Sequence, residues 1–317
     1  MKPFAFIFPG QGSQSVGMLD AWGDHAVVRQ TLQEASDALG EDLAQLIHEG
    51  PKEALALTTN TQPVMLVAGV AAYRVWMAEV GVAPQAVAGH SLGEYAALVA
   101  AGSLTLAQAA PLVRLRAQAM QDAVPVGVGA MAAILGMDAL RVAALCAEVT
   151  QEFGAASAEV VEAANFNDPK QTVISGSRAG VELASERLKA AGAKRVLPLP
   201  VSAPFHCTLM KPAAERLKGK LASVALKPPA IPVLNNIDVC VESDPARIRD
   251  ALYRQAFGPV RWCETIRAIR AMGVLHLIEC GPGKVLIGLN KRIAKEAEHF
   301  SIYNSETLNA VLDRAIE

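Results

Sequence analysis

A serine lies between two glycines in the sequence Gly89-His90-Ser91-Leu92-Gly93, directly after a short apolar run. A helical pattern starts immediately afterwards. This arrangement is typical of a nucleophile elbow, in which a sharp turn between a strand and a helix presents the serine hydroxyl. The turn leaves no room for flanking side chains, and the start of the helix directs free backbone N–H groups toward a developing oxyanion. The pattern therefore predicts that Ser91 is a nucleophile.

A serine nucleophile needs a general base, and the chain has six histidines. His206 follows an irregular stretch at the end of a predicted insertion, where catalytic groups are often carried. His90 is adjacent to Ser91, but neighbouring side chains point apart, so we expect it to order the turn. We therefore predict that His206 is the base. The group that orients its ring stays open between Asp168, Asp238 and a backbone carbonyl or amide.

Arg116 lies on the apolar face of a predicted helix. A buried guanidinium needs an anionic partner, because an unpaired buried charge is costly. That partner is either an internal carboxylate or the carboxylate of a substrate, which a guanidinium binds with two parallel hydrogen bonds. The sequence leaves both interpretations open. The residues three and four positions from Arg116 are Leu112, Val113, Ala119 and Met120.

Alternating strand and helix patterns surround these residues. Residues 4–8 form a continuous apolar run, typical of a strand buried on both faces. The glycine-rich loop 9–14 fits no nucleotide-binding pattern, and we expect it to bring a backbone N–H beside the elbow. Residues 126–202 follow the β-α-β-β-α-β order. We predict an α/β fold with an α/β-hydrolase-like parallel sheet core, residues 1–125 and 203–317, and an inserted ferredoxin-like (βαββαβ) subdomain, residues 126–202.

Three local expectations accompany this fold. Residues 31–56 have a helical, polar-faced pattern. Pro111 is expected to kink or split the helix that carries Arg116, because proline cannot donate a backbone hydrogen bond. The sequence Gly281-Pro282-Gly283 is expected to lead into the final helix.

The bulk properties exclude several classes of protein. The chain has 317 residues, 52% of them hydrophobic, and a net charge of −2, so it has no global basic field for nucleic acid or an anionic membrane. No apolar stretch reaches the roughly 20 residues of a membrane span. Five scattered cysteines and the absence of a signal-peptide pattern favour a reducing compartment. We therefore predict a cytoplasmic protein without a disulfide framework or metal site.

Taken together, the motifs resemble the malonyl-CoA:acyl carrier protein transacylases of bacterial type II fatty acid synthesis. They occur in the family's order and cover essentially the whole chain. The matching segments are Phe8-Pro9-Gly10-Gln11-Gly12-Ser13-Gln14, Gly89-His90-Ser91-Leu92-Gly93-Glu94, Arg116 with Met120-Gln121, Asn165-Phe166-Asn167, His206-Cys207 with Leu209-Met210-Lys211-Pro212, Gln255 before Pro259-Val260-Arg261-Trp262, and Gly281-Pro282-Gly283.

The resemblance implies a role for each motif. Ser91 is the residue that malonyl-CoA acylates, and His206 is the general base and then the general acid. The backbone N–H groups of Gln11 and Leu92 form the oxyanion hole. Arg116 pairs with the free malonyl carboxylate.

The resemblance also implies several supporting residues. Gln255 orients His206 through its backbone carbonyl. Phe205 fills the space of an α-methyl group and, as in related polyketide acyltransferases, favours malonyl over methylmalonyl. Leu92 fits the same malonyl pattern, and Asn165 lies near the cleft.

The implied reaction is ping-pong transfer of malonyl from malonyl-CoA to the phosphopantetheine thiol of an acyl carrier protein, an acidic and transient partner. It needs no cofactor or metal beyond these substrates. A serine hydrolase or thioesterase of the α/β-hydrolase type is the first alternative, although it would need an acid before a late histidine and a His-Gly-Gly-type loop. A non-catalytic carrier-binding subunit is the second, and its function would not depend on Ser91.

Overall fold

The computed structural model describes residues 2–154 and 156–315, so residues 1, 155, 316 and 317 of the predicted domains lie outside the described residues. The strands are β1 (Phe4–Phe8), β2 (Ala86–Gly89), β3 (Gly129–Leu135), β4 (Val161–Asp168), β5 (Gln171–Ser177), β6 (Arg195–Pro198), β7 (Val233–Leu234), β8 (His276–Cys280) and β9 (Glu298–Ile302). The helices are α1 (Ala26–Leu39), α2 (Leu43–Glu49), α3 (Lys52–Ala56), α4 (Thr58–Glu79), α5 (Gly93–Ala100), α6 (Leu106–Asp122), α7 (Ala139–Phe153), α8 (Arg178–Ala190), α9 (Lys211–Ser223), α10 (Pro245–Phe257), α11 (Trp262–Ala271), α12 (Val285–Ile293) and α13 (Ser305–Ala315).

A parallel sheet with the strand order β7-β2-β1-β8-β9 forms the larger part of the molecule. Its central strand, β1, is buried along its whole length. The phenylalanines of β1 face one core, where Phe4 and Phe6 contact Trp76 of α4. Ala5 and Ile7 face a second core with side chains of α11 and α12. The prediction of a strand buried on both faces is therefore confirmed.

A separate antiparallel sheet has the order β4-β5-β3-β6. It lies within the predicted insertion 126–202, and its elements follow the chain order β3-α7-β4-β5-α8-β6. A core of its own includes side chains of α7 and α8, such as Cys146 and Leu188. The fold is thus mixed α/β, with one parallel and one antiparallel sheet, and the limits of the insertion stay a prediction.

Strand β4 is bonded to segments of the chain outside the antiparallel sheet. The backbone N–H of Phe166 donates to the carbonyl of Val260 at 2.9 Å, and the N–H of Val260 donates to the carbonyl of Ala164 at 2.9 Å. Farther along β4, the buried carboxylate of Asp168 accepts a hydrogen bond from Arg292 of α12 at 2.5 Å. These bonds hold β4 against the segment before α11 and against α12.

The helices differ from the sequence expectations in three places. The helical pattern at 31–56 belongs to α1, α2 and α3, which are separated near Gly40, at φ 68°, and at Pro51. Helix α6 is continuous through Pro111, so the prediction of a split there is wrong. Helix α12 is not the last element, because β9 and α13 follow it. The polar and partly exposed sequence of β9, an edge strand, conceals its strand pattern.

The longest helix, α4, lies against the parallel sheet with most of its side chains buried. Within the described parts of the chain, no helix is both long and apolar enough to cross a membrane.

Two glycines allow the backbones of β1 and β2 to lie very close to that of α5. A Cβ atom at Gly93 would lie 2.1 Å from the carbonyl oxygen of Phe8. A Cβ atom at Gly89 would lie 1.8 Å from the carbonyl carbon of Gly93. No side chain can be accommodated at these distances without a backbone shift, so the elbow around Ser91 depends on both glycines.

We expect Gly93→Ala to lower the free energy of unfolding by at least about 3 kcal/mol, because α5 must move away from β1. Urea denaturation followed by circular dichroism measures this change. Gly219→Ala is the matched control: its site on α9 is exposed, with no atom within 4 Å of the added Cβ. Alanine there should raise stability by about 0.5–1 kcal/mol. Unchanged stability of Gly93→Ala would contradict the close approach.

Candidate active site

Ser91 occupies the turn between β2 and α5 in a left-handed backbone conformation, with φ 52°. His206 has φ 61°. Among the non-glycine residues that the structure describes, only Val239 shares this conformation. Left-handed backbone is unfavourable for residues with a Cβ, and such strain tends to occur at functional sites. The strain coincides here with the predicted nucleophile and base.

Ser91 and His206 are in direct contact. The distance between Ser91 Oγ and His206 Nε2 is 2.6 Å, and His206 Nδ1 lies 3.0 Å from the backbone carbonyl oxygen of Gln255. A carbonyl only accepts, so Nδ1 carries the proton and Nε2 accepts the hydrogen bond from the Ser91 hydroxyl. This arrangement can remove a proton from Ser91.

Of the groups that the sequence left open for orienting the His206 ring, a backbone carbonyl is the one in contact with it. The carboxylate of Asp168 pairs with Arg292, and that of Asp238 pairs with Arg254. Neither acid contacts the ring of His206. The Gln255 carbonyl takes the place that an aspartate has in a Ser-His-Asp triad.

Burial, and next the positive charge of Arg116, lower the pKa of His206 from 6.5 to about 3. The hydrogen bond from the ring to the Gln255 carbonyl opposes this change. The imidazole is therefore neutral at neutral pH, which is the form that accepts a proton.

Arg116, on α6, is buried at 2% exposure, and its side chain reaches Ser91. Nη1 donates to Gln62 Oε1 at 2.6 Å. Nη2 donates to Ser91 Oγ and to Gln255 Oε1, both at 3.1 Å. The guanidinium also lies 5.6 Å from the centroid of the Tyr95 ring. All of these partners are neutral groups.

No carboxylate in residues 2–154 and 156–315 forms an ion pair with Arg116, which excludes the internal ion pair for these residues. Glu94 does not contact Arg116 directly; Gln255 lies between them, and its Nε2 donates to Glu94 Oε2 at 2.9 Å. Burial raises the pKa of Glu94 to about 7, against hydrogen bonds from Gln255 and Asn236 and the charge of Arg116. Arg116 thus has a buried charge that an anionic ligand beside Ser91 can neutralise.

A cavity of about 140 Å³ opens onto Ser91. Met120, Met131 and Leu199 give it an apolar wall. Leu92 is buried behind Ser91, and Gln255 lies behind His206 and Arg116. Of the predicted site residues, those that line the cavity are Gln11, Ser91, Arg116, Asn165, Phe205 and His206.

The loop after β1 lies directly against the elbow. A Cβ atom at Gly10 would be 2.8 Å from the carbonyl oxygen of His90. The backbone N–H groups of Gln11 and Leu92 donate to no other atom in the described chain. Two free donors near a serine nucleophile are the groups that an oxyanion requires.

Four polar residues of this site have no role assigned to them from the sequence, although Glu94 and Asn167 lie within its motifs. Gln62 binds Arg116, Glu94 and Asn236 support the elbow, and Asn167 Oδ1 lies 2.8 Å from His90 Nε2. Gln62 and Glu94 each lie in a largely apolar, buried helix. The occurrence of a polar side chain in such an apolar helix could have identified Gln62 and Glu94 from the sequence.

Comparisons with known proteins agree with this geometry. A family model described as the acyl transferase domain matches residues 5–306. The malonyl CoA-acyl carrier protein transacylase of Escherichia coli (strain K12) is 50% identical over 99% of this chain and 100% of its own. The enzyme of the same description from Bacillus subtilis (strain 168) is 44% identical over 98% of this chain and 97% of its own.

Solved structures give the same result. An acyl-carrier-protein S-malonyltransferase from Burkholderia pseudomallei 1710b has a TM-score of 0.94 and 60% identity, and the match covers 98% of this chain and 99% of the other. A malonyl-transacylase in complex with a type II PKS acyl-carrier protein has a TM-score of 0.94 and 48% identity, with coverage of 98% and 99%.

The chain belongs to the acyl transferase domain family. It is an enzyme of the acyltransferase class, which removes the non-catalytic subunit as an alternative. A free-standing serine hydrolase is also disfavoured, because the relatives that match over the full length are transacylases.

We expect the reactivity of Ser91 to persist well below pH 6.5, because the lowered pKa keeps His206 in its basic form as the pH falls. The rate of Ser91 modification by a neutral sulfonyl fluoride, measured from about pH 4.5 to 8, reports this titration. Arg116→Gln removes one cause of the low pKa, so its acid limb should move to higher pH. An acid limb at pH 6.5 in the unaltered protein would contradict this environment.

Proposed function

We propose that this protein transfers a malonyl group from malonyl-CoA to the phosphopantetheine thiol of an acyl carrier protein, through a malonyl-Ser91 intermediate. The observation that carries the proposal is the buried guanidinium of Arg116, which has no anionic partner among the described residues and lies 3.1 Å from Ser91 Oγ. A malonyl group offers a carboxylate one carbon away from the reacting thioester. Acetyl and longer saturated acyl groups offer none.

In the first half-reaction, the malonyl carboxylate binds Arg116 and brings the thioester carbonyl to Ser91. The Ser91 hydroxyl transfers its proton to His206 Nε2 as Oγ attacks the carbonyl carbon. The C–S bond of the tetrahedral intermediate then breaks, and His206 returns the proton to the departing CoA thiolate. The Gln255 carbonyl stabilises the imidazolium that forms between these two events.

The backbone N–H groups of Gln11 and Leu92 are proposed to stabilise the oxyanion. Their free donors adjoin the elbow, and the strand–helix loop after β1 supplies the first of them. Donors fixed in a buried site need no reorganisation when the negative charge develops, so they stabilise the transition state more than water would.

In the second half-reaction, the thiol of the carrier protein replaces CoA. His206 takes the thiol proton, and the thiolate attacks the malonyl-Ser91 carbonyl carbon. The C–Oγ bond of the tetrahedral intermediate then breaks, and His206 returns the proton to Ser91 Oγ. Water must be kept from the ester in the interval. The apolar side chains of Met131 and Leu199, which line the same cavity as Ser91, support this exclusion.

Two further residues are proposed to shape the acyl site. Phe205, which is 8% exposed and precedes the base, fills the space where an α-methyl group would lie, and so favours malonyl over methylmalonyl. Asn165 lines the same cavity from β4 and offers an amide to the incoming substrate.

The core, residues 1–125 and 203–317, is proposed to be α/β-hydrolase-like. The insertion, 126–202, is proposed to be ferredoxin-like, which the strand order β4-β5-β3-β6 supports. We also propose a cytoplasmic enzyme that uses no metal or cofactor. Its acidic, transient partner is proposed to be a carrier protein, and one similar solved structure is a malonyl-transacylase in complex with a type II PKS acyl-carrier protein.

The direct test is intact-protein mass spectrometry after incubation with malonyl-CoA. We expect one added malonyl group, located on Ser91 by peptide mapping, and its loss when a phosphopantetheinylated carrier protein is added. Ser91→Ala is the matched control and should gain no mass. Release of free malonate without labelling of the carrier protein would instead indicate a hydrolase, and a label on another residue would overturn the mechanism.

A further inference from the structure

The backbone of the nucleophile turn is held by side chains on both sides of Ser91. The N–H of Ser91 donates to Asn236 Oδ1 at 2.7 Å. The carbonyl of Ser91 accepts from Gln255 Nε2 at 3.0 Å. Left-handed backbone at a residue with a Cβ persists only where the surroundings enforce it, and these bonds provide that restraint.

Asn236 also reaches the residue where β2 ends. Its Nδ2 donates to the carbonyl of Gly89 at 2.8 Å, while its Oδ1 accepts from Ser91. Strand β7 pairs with β2 only at Val87 and Ala88. The side-chain amide of Asn236, with one donor and one acceptor, continues that pairing after the backbone strands have diverged.

Asn236 is itself fixed on all sides. It is fully buried, its N–H donates to Glu94 Oε2 at 2.9 Å, and its carbonyl accepts from Arg261 at 3.2 Å. Glu94 lies in the first turn of α5, directly after the elbow. The elbow, α5, Glu94 and Asn236 therefore form a closed ring of hydrogen bonds in which every polar group of Asn236 has a partner.

We infer that Asn236 is a positioning residue, which acts through the backbone of Ser91 to hold Oγ in line with His206 Nε2. It is fully buried and is not among the residues that line the cavity beside Ser91. The inference rests on the proposed role of Ser91 as the nucleophile. An error of about 1 Å in the placement of a reacting group can reduce a rate about 100-fold, so the loss of this restraint should appear in the chemical step.

The test compares Asn236→Ala with the unaltered protein in single-turnover acylation by malonyl-CoA. We expect the acylation rate constant to fall about 100-fold. The affinity for malonyl-CoA, measured by calorimetry on a Ser91→Ala background, should not change. The acid limb of the pH–rate profile should also stay in place, because the Gln255 carbonyl still holds His206.

Thr31→Ala is the control, since it removes an equally buried side-chain hydrogen bond, from Thr31 Oγ1 to the Val27 carbonyl at 2.7 Å within α1. It should lower stability while keeping the acylation rate near that of the unaltered protein. Equal losses of rate in both variants, or an unchanged rate in Asn236→Ala, would overturn the inference. If Asn236→Ala does not fold, Asn236→Asp replaces it. Aspartate keeps the shape of the side chain and the acceptor for the Ser91 N–H, but it loses the donor to the Gly89 carbonyl. The acylation rate constant and the affinity for malonyl-CoA are then measured in the same way.

Labelling of the unaltered protein separates this inference from the proposed function. If malonyl-CoA labels Ser91 and Asn236→Ala acylates normally, only the positioning role fails. If malonyl-CoA does not label Ser91 at all, the proposed function fails first.

Discussion

The site is organised around the buried charge of Arg116. Its Nη1 and Nη2 atoms donate to the neutral oxygens of Gln62, Gln255 and Ser91, and the described chain provides it with no ion pair. Burying a charge without a counter-ion is costly, so the fold holds a cation whose best partner is an external anion. The same charge lowers the pKa of His206 and opposes the raised pKa of Glu94. Burial is the larger cause of the low pKa of His206, and Arg116 adds to it from a position beside Ser91.

Gln255 connects the separate parts of this arrangement. Its backbone carbonyl faces His206 Nδ1, its Oε1 accepts from Arg116, and its Nε2 donates to Glu94 and to the Ser91 carbonyl. A side chain with both donors and an acceptor can bridge a cation and a carboxylate without an ion pair between them. His206, the buried cation of Arg116 and the strained turn are therefore positioned by one buried amide and its neighbours.

Much of the site was predictable because its signals are local. The elbow follows from the spacing of Gly89, Ser91 and Gly93, and the burial of Arg116 follows from helical periodicity. The supporting residues were not predictable in this way: Asn236 reaches Ser91 across 145 positions of the chain, and Gln62 reaches Arg116 across 54. Such contacts depend on how distant elements pack. Strand β9 was not predicted for the same reason, because its polar sequence forms a strand through pairing with the distant strand β8.

The most direct test of the role of Arg116 is the ratio of the acylation rates of Ser91 by malonyl-CoA and acetyl-CoA, with and without Arg116→Ala. The account predicts a strong preference for malonyl in the unaltered protein. In the variant, malonyl acylation should fall about 100-fold, whereas acetyl acylation should fall far less, because only malonyl loses a charge-assisted pair. An unchanged ratio of the two rates in Arg116→Ala would show that another group recognises the carboxylate, and would contradict the account.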